Sequence, residues 1–221
     1  MEKRELVTAA RAVIFSNGSY ANLTGIARRL RADDYIVCAD GALKHLVRLQ
    51  IWPDLLVGDF DSIDGELLAA AKEQGVEMLT FEREKDYTDT ELAWQAIREQ
   101  GYRQLLVVGG WGDRLDHSLA NLLLFAPYGQ TGYHICMTDG TTDAYLVSDK
   151  LSLRHCQDRL VSIIALTPVA RGVTARGLYW PLNDATLNWG QALGISNIPV
   201  AEEVTIEVQE GLLLVVVTPE D

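Results

Sequence analysis

Through residue 140 the chain repeats one phrase: a short run rich in Val, Ile, Leu and aromatics, followed by a stretch whose apolar residues fall at helical spacing. The runs 12–15, 35–39, 55–58, 77–81, 105–108 and 133–137 predict strands, and the stretches 23–30, 42–49, 66–74, 90–100 and 118–125 predict helices. In the fourth helix Leu92, Ala96 and Ile97 share one face, and Thr88 or Asp89 stands at the N-cap. Parallel strands need crossovers of this kind, so the alternation predicts an α/β fold: a Rossmann-like, mostly parallel sheet wrapped by helices, over 1–140.

After Asp139 the rhythm changes. Strand-like runs at 144–147, 160–166, 173–180, 185–189, 204–208 and 212–217 follow at short intervals, and four of the six prolines lie among them. No long helical pattern interrupts them, which predicts an all-β sandwich over 141–221. So short a domain buries little core of its own and gains from docking on the first domain or on a second subunit, so a homodimer is expected.

Charge and cysteine narrow the functional classes. Lys plus Arg number 19 against 31 Asp plus Glu, a net charge of −12. A field of that sign repels polyanions, so neither nucleic acid nor an anionic membrane is an expected partner. Cys38, Cys136 and Cys156 are odd in number, form no CxxC pair and sit amid apolar residues, which reads as three buried thiols in a reducing compartment. The first fifteen residues lack the pattern of a signal peptide, and runs such as 212–217 are far too short to span a bilayer, so a cytoplasmic location is expected.

Chemistry-bearing residues gather where predicted strands end. Asp40 ends YIVCAD, Asp59 and Asp61 end LLVGDFDS, and Asp86 and Asp89 sit in EKDYTDTE after the run ending at Phe81. In open α/β sheets ligands bind beyond the carboxyl ends of the strands, so these acids can converge on one edge. Clustered carboxylates repel, and an oxygen-only donor set with bound phosphates suits Mg²⁺; the competing reading is that each Asp caps a helix or shapes a turn. A fourth strand end runs into GGWGDRLDHSLANLLL, where Gly109, Gly110 and Gly112 allow close backbone approach to a phosphate or a ring. That loop matches neither GxGxxG nor a Walker A pattern. Arg114 can meet a phosphate, Asp116 can cap the following helix or accept from a ligand, and His117 reads as a local hydrogen bonder.

Taken together these segments resemble the thiamine pyrophosphokinase family. CADGALKHL is similar to its DGG-type motif, PDLLVGDFDSI to PDxxxGDxDS, EKDYTDTELA to KDxTD, and GGWGDRLDHSLANL to GGxxGRxDHxLxNL. GLYWPLNDATLNWGQALGISN with EEVTIEVQEGLLLVV resembles the C-terminal signature. The resemblance implies a nucleotide-binding α/β domain, a thiamine-binding β-sandwich and a homodimer with shared active sites. It implies Mg²⁺ as cofactor and ATP as co-substrate, with pyrophosphoryl transfer to thiamine. Carried over by position, Asp59, Asp61, Asp86 and Asp89 would be catalytic, and Asp40, Asp59, Asp61 and Asp86 would hold the metal. Asp40, Lys85 and Gly110 would line the nucleotide side and Arg114 and Asp116 the nucleotide or thiamine side, with Lys85, Arg83 or Arg114 offsetting phosphate charge. Trp180, Ser196 and Asn197 would hold thiamine, with Trp189 nearby in sequence; both tryptophans also read as sandwich core.

The chain departs from the pattern at Ala42, Lys44 and Asp113, where the family commonly has Gly, Asn and Gly. Lys44 adds a cation for phosphate, whereas Asp113 adds an anion beside it. Two other activities remain open on these residues: a non-catalytic thiamine or nucleotide sensor, and a metal-dependent nucleotide hydrolase.

Overall fold

The structure is a computed structural model and describes residues 10–81 and 86–220. The chain divides into two compact units, residues 1–124 with 137–140, and residues 125–136 with 141–221.

The first unit carries β1 (Arg11–Phe15), α1 (Leu23–Ala27), β2 (Tyr35–Ala39), α2 (Leu43–Arg48), β3 (Leu55–Gly58), α3 (Gly65–Glu73), β4 (Glu77–Thr80), α4 (Asp89–Glu99) and β5 (Gln104–Val108). It also holds most of α5 (Leu115–Gly129) and the end of β6 (His134–Thr138). Strand order is β4-β3-β2-β1-β5, with β6 next to β5. The β1–β2, β1–β5, β2–β3 and β3–β4 pairs are all parallel, as the alternation predicts. β1, β2, β3 and β5 are almost wholly buried, which is why they read as continuous apolar runs rather than alternating ones.

Helix bounds differ from expectation in two places. α1 stops at Ala27, three residues short, and α5 runs from Leu115 to Gly129, well past the predicted 118–125. Pro127 sits in the last turns of α5. In α4 the buried face is Leu92, Ala93, Trp94 and Ile97, while Ala96 is only half-buried. Thr88, not Asp89, is the N-cap, its hydroxyl accepting from the Glu91 N–H at 3.2 Å.

The second unit is all-β beyond its share of α5 and β6. Its strands are β7 (Asp143–Val147), β8 (Lys150–Arg154), β9 (Arg159–Ala165), β10 (Val169–Arg176), β11 (Leu182–Asn188), β12 (Glu203–Glu207) and β13 (Leu213–Pro219). They form antiparallel sets in the orders β7-β13-β9 and β11-β10-β12-β8. Between the two lies one buried cluster with Val161, Ile163, Val173, Leu187, Val204, Ile206, Leu213 and Val215. β8 escapes the sequence reading because KLSLR is mostly exposed and has a charged residue at each end. β10 begins four residues before the predicted 173–180 and ends before Gly177, whose positive φ of 78° breaks the strand.

The cysteine expectation needs one correction. Cys38 and Cys156 are buried free thiols, whereas Cys136 is half-buried because β6 presents that face less completely. Trp180 and Trp189, read alternatively as sandwich core, are 56% and 66% exposed.

Candidate active site

The order in which strands are added reverses at β1, which has β2 on one side and β5 on the other, all three parallel. Segments leaving the carboxyl ends of such strands diverge and leave a crevice. Here it is a cavity of about 620 Å³, lined by Ser16–Ser19 after β1, Asp40 and Gly41 after β2, Asp59 after β3, Tyr87–Thr90 at the start of α4, and Gly109–Arg114 after β5. His117 and Asn121 of α5 complete the lining.

Asp40 is the buried end of the acidic wall, 8% exposed and held at φ 27°, a backbone conformation that L residues rarely adopt. The Ser62 hydroxyl donates to its Oδ2 at 2.5 Å, while Oδ1 is buried with no hydrogen-bond partner. Gly58 allows this approach, since a Cβ there would lie 2.7 Å from the Asp40 Cβ. Asp59 and Asp61 flank Phe60, whose φ of 62° turns the chain so that Asp59 Oδ1 accepts the Asp61 N–H at 3.2 Å. Carboxylate oxygens of Asp40, Asp59 and Asp61 lie within 4.8 Å of one another. Burial, reinforced by Asp89, Asp59 and Asp61, raises the Asp40 pKa above the ordinary aspartate value, against the lowering effect of Ser62.

The opposite wall is the glycine-rich loop, stapled to α5 by two side chains. Asn121 Nδ2 donates to the Gly110 carbonyl at 2.8 Å, and the Ser118 hydroxyl accepts from the Gly112 N–H at 3.1 Å. The Trp111 indole N–H donates to Asp139 Oδ2 at 3.2 Å. Arg114 grips Asp116 through Nε at 3.2 Å and Nη2 at 2.5 Å, in full solvent. That hydrogen bond raises the Arg114 pKa and lowers that of Asp116.

Beneath these walls Tyr20 donates to the Ser16 carbonyl at 2.7 Å and stacks on His45 with centroids 3.7 Å apart. Burial, then the neighbouring Lys44 and Arg48, lowers His45 to about 4, so the imidazole is neutral at pH 7. Thr90 Oγ1 lies 3.0 Å from Ser16 Oγ and ties the start of α4 to the end of β1.

Of the residues singled out in the sequence, Asp40, Asp59, Asp89, Gly110 and Arg114 line the cavity and Asp61 joins the acidic cluster. Asp86 is exposed and does not belong to that three-residue cluster. Arg83 and Lys85 lie outside the described residues. Asp116 is occupied with Arg114, and exposed His117 lines the cavity. Sequence reasoning missed Ser16–Ser19, Ser62 and Asn121. The first of these was accessible, because SNGS follows the first strand and the strand-end rule applies to it equally. Ser62 and Asn121 become visible only through their partners.

Trp180, Ser196 and Asn197 belong to the second unit. Asn197 is 2% exposed; its amide donates to the Trp180 carbonyl at 2.7 Å and accepts from the Trp180 N–H at 3.0 Å. Ser196 is held at φ 55°, its N–H donating to Ser162 Oγ at 3.0 Å. The Trp180 ring meets Tyr179 edge-on at 4.9 Å, with both residues exposed.

Two family profiles match the chain in order: thiamin pyrophosphokinase, catalytic domain, over 26–137, and thiamin pyrophosphokinase, vitamin B1 binding domain, over 150–213. Thiamine pyrophosphokinase 1 of Arabidopsis thaliana is 25% identical over 202 residues, covering 80% of this chain and 75% of that protein. Thiamine pyrophosphokinase of Bacillus subtilis is 26% identical over 161 residues, covering 72% and 75%. The fold is shared with the crystal structure of thiamine pyrophosphokinase from Bacillus subtilis, at TM-score 0.85 and 21% identity over 96% of this chain and 100% of that one. It is shared also with thiamin pyrophosphokinase from Candida albicans, at TM-score 0.76 and 14% identity over 96% and 90%.

Proposed function

The chain belongs to the thiamin pyrophosphokinase family, and from that premise we propose that it transfers the pyrophosphoryl group of ATP to the hydroxyethyl oxygen of thiamine, giving thiamine diphosphate and AMP. The observation that carries the reading is the convergence of Asp40, Asp59 and Asp61 from two separate strand ends at the switch-point cavity, inside the stretch matched by the catalytic-domain profile.

Mg²⁺ fits this donor set. Every ligand atom on offer is an oxygen, and Asp40 Oδ1 is buried without a hydrogen bond, a costly arrangement that a cation relieves. Asp40, Asp59 and Asp61 would hold the ion, with Asp86 and Asp89 as further carboxylates on the segment entering α4. When bound, it neutralises phosphate oxygens and lets a chain of net charge −12 accept a polyphosphate.

The chain's own groups do the positioning on which phosphoryl transfer depends. The glycine-rich loop, its shape fixed by Ser118 and Asn121, lets the phosphates approach the backbone closely at Gly109 and Gly110. Arg114 exchanges its exposed pairing with Asp116 for a phosphate oxygen, and Lys85 adds a second cation. The proton of the attacking hydroxyl passes to a carboxylate of the cluster. Trp180 offers an exposed ring to the thiazolium cation, with cation–π attraction of about 0.5–2 kcal/mol. Ser196 belongs to the same turn, and Asn197 acts through the Trp180 backbone.

The protein acts as a cytoplasmic homodimer in this reading, with the thiamine contacts of one copy serving the nucleotide pocket of the other. Exposed Tyr179, Trp180, Trp189, Leu193 and Val200 in the second unit support it, as do Leu115, Leu119 and Leu123 on α5. The free thiols of Cys38 and Cys156 and the acidic charge are consistent with a reducing, nucleic-acid-free setting, and no helix among the described residues is long and apolar enough to cross a membrane.

One incubation with ATP, Mg²⁺ and thiamine tests the activity. AMP and thiamine diphosphate are expected in equal amounts, and AMP formation is expected to require thiamine. AMP without thiamine identifies a nucleotide hydrolase, and neither product identifies a sensor. Asp59→Asn and Asp61→Asn are each expected to lower kcat at least a hundredfold with the fold intact; full activity in the double variant removes the metal assignment.

A further inference from the structure

Trp111 has no role in the chemistry above, yet it is half-buried and lines the cavity. Its position is one the family motif leaves open. Both ends of the residue are held separately: its carbonyl accepts the Ser19 N–H at 2.6 Å, and its indole N–H donates to Asp139 Oδ2 at 3.2 Å. Asp139 is itself anchored, 9% exposed just after β6, with its carbonyl accepting the Asn22 N–H at 3.2 Å. Gly18 presses on the same carbonyl, where a Cβ would come within 2.2 Å of the Trp111 oxygen. A tryptophan used only as filler sits among apolar groups, whereas this one shares its wall with Asn17, Ser19, Asp113 and Arg114.

We propose that the indole of Trp111 is the stacking surface for the purine ring of the nucleotide, and that Asp139 is a positioning residue that sets the plane of that indole. The proposal rests on the reading that the cavity receives ATP. A flat ring held by its N–H on an anchored backbone loses little freedom when a base stacks on it, so more of the contact appears as affinity. Acceptance of the indole N–H by a carboxylate also leaves the ring face, rather than its polar edge, for the ligand. A purine is the chosen occupant because Trp111 lies in the 26–137 stretch matched by the catalytic-domain profile, not in the vitamin B1 stretch, 150–213.

AMP binding to the full chain, measured calorimetrically without thiamine, tests the proposal. Stacking on one aromatic side chain predicts that Trp111→Ala weakens AMP about tenfold and raises the KM for ATP about as much, with the KM for thiamine unmoved and kcat changed less than threefold. Trp111→Phe, which keeps a ring, is expected to retain most of the affinity and can be read even if the alanine variant does not fold. Asp139→Ala is expected to weaken AMP in the parent chain and to add nothing in the Trp111→Ala background, a coupling that a purely structural role would not produce. Unchanged AMP affinity in Trp111→Ala, a shift confined to the KM for thiamine, or additive losses in the double variant would each overturn the proposal. If the parent chain binds AMP but makes no thiamine diphosphate, the proposed activity fails while the stacking test still reads out.

Discussion

A buried carboxylate with one oxygen unpartnered weakens a fold unless a ligand reaches it, and Asp40 is such a group. Its raised pKa means that folding favours the protonated form. Stability from this residue is therefore fully present below the unfolded value, about 4, and is lost as pH rises through the higher folded value. Without divalent ions, Asp40→Asn is expected to melt above the parent at pH 7, the gap closing as the pH falls below about 4. Added Mg²⁺ is expected to raise the parent Tm and leave that of Asp40→Asn nearly unmoved. A variant that melts below the parent at pH 7 contradicts this account. Asp40 was legible from its place at a strand end, but Ser62, which orients it, was not, because its significance lies in a contact spanning 22 positions.

Two strand-to-helix loops that neighbour each other only in the fold form much of the pocket. Gly18, in the loop after β1, faces backbone alone: a Cβ there would lie 2.2 Å from the carbonyl oxygens of both Gly109 and Trp111. Neither atom can swing aside as a side chain would. Gly18→Ala is expected to destabilise the fold by about 1–3 kcal/mol and to weaken AMP binding at least tenfold, read from urea midpoints and calorimetry. A silent substitution would mean that these loops do not meet. At this scale the strands were read closely, since buried parallel strands carry a strong apolar signal, whereas β8 and the ends of α1 and α5 were missed. Exposed strands and helix ends are set by tertiary contacts that periodicity does not contain.

For the whole molecule, charge and exposed apolar surface pull in different directions. A net charge of −12 keeps copies apart at long range, while Trp180, Trp189, Leu119 and Leu123 offer short-range burial. Light scattering at about 0.15 M salt is expected to report twice the mass of one chain. Trp180→Asp is expected to shift the population toward monomer and to reduce turnover with it. A parent protein that is monomeric at micromolar concentration contradicts the shared-site arrangement.

The two rhythms, the strand-end acids and the ordered motifs are all written along the chain, because each is a local property of neighbouring residues. Tertiary structure decided which of those residues meet. It brought Asp40 to Asp59 and Asp61 while Asp86 stayed outside that cluster, turned the Asn197 amide onto the Trp180 backbone, and fixed Trp111 between Ser19 and Asp139. The physical reason is that side-chain type and spacing are written along the chain, whereas a partner more than a hundred positions away, as Asn22 is from Asp139, is selected only when the sheet closes and its strand ends converge.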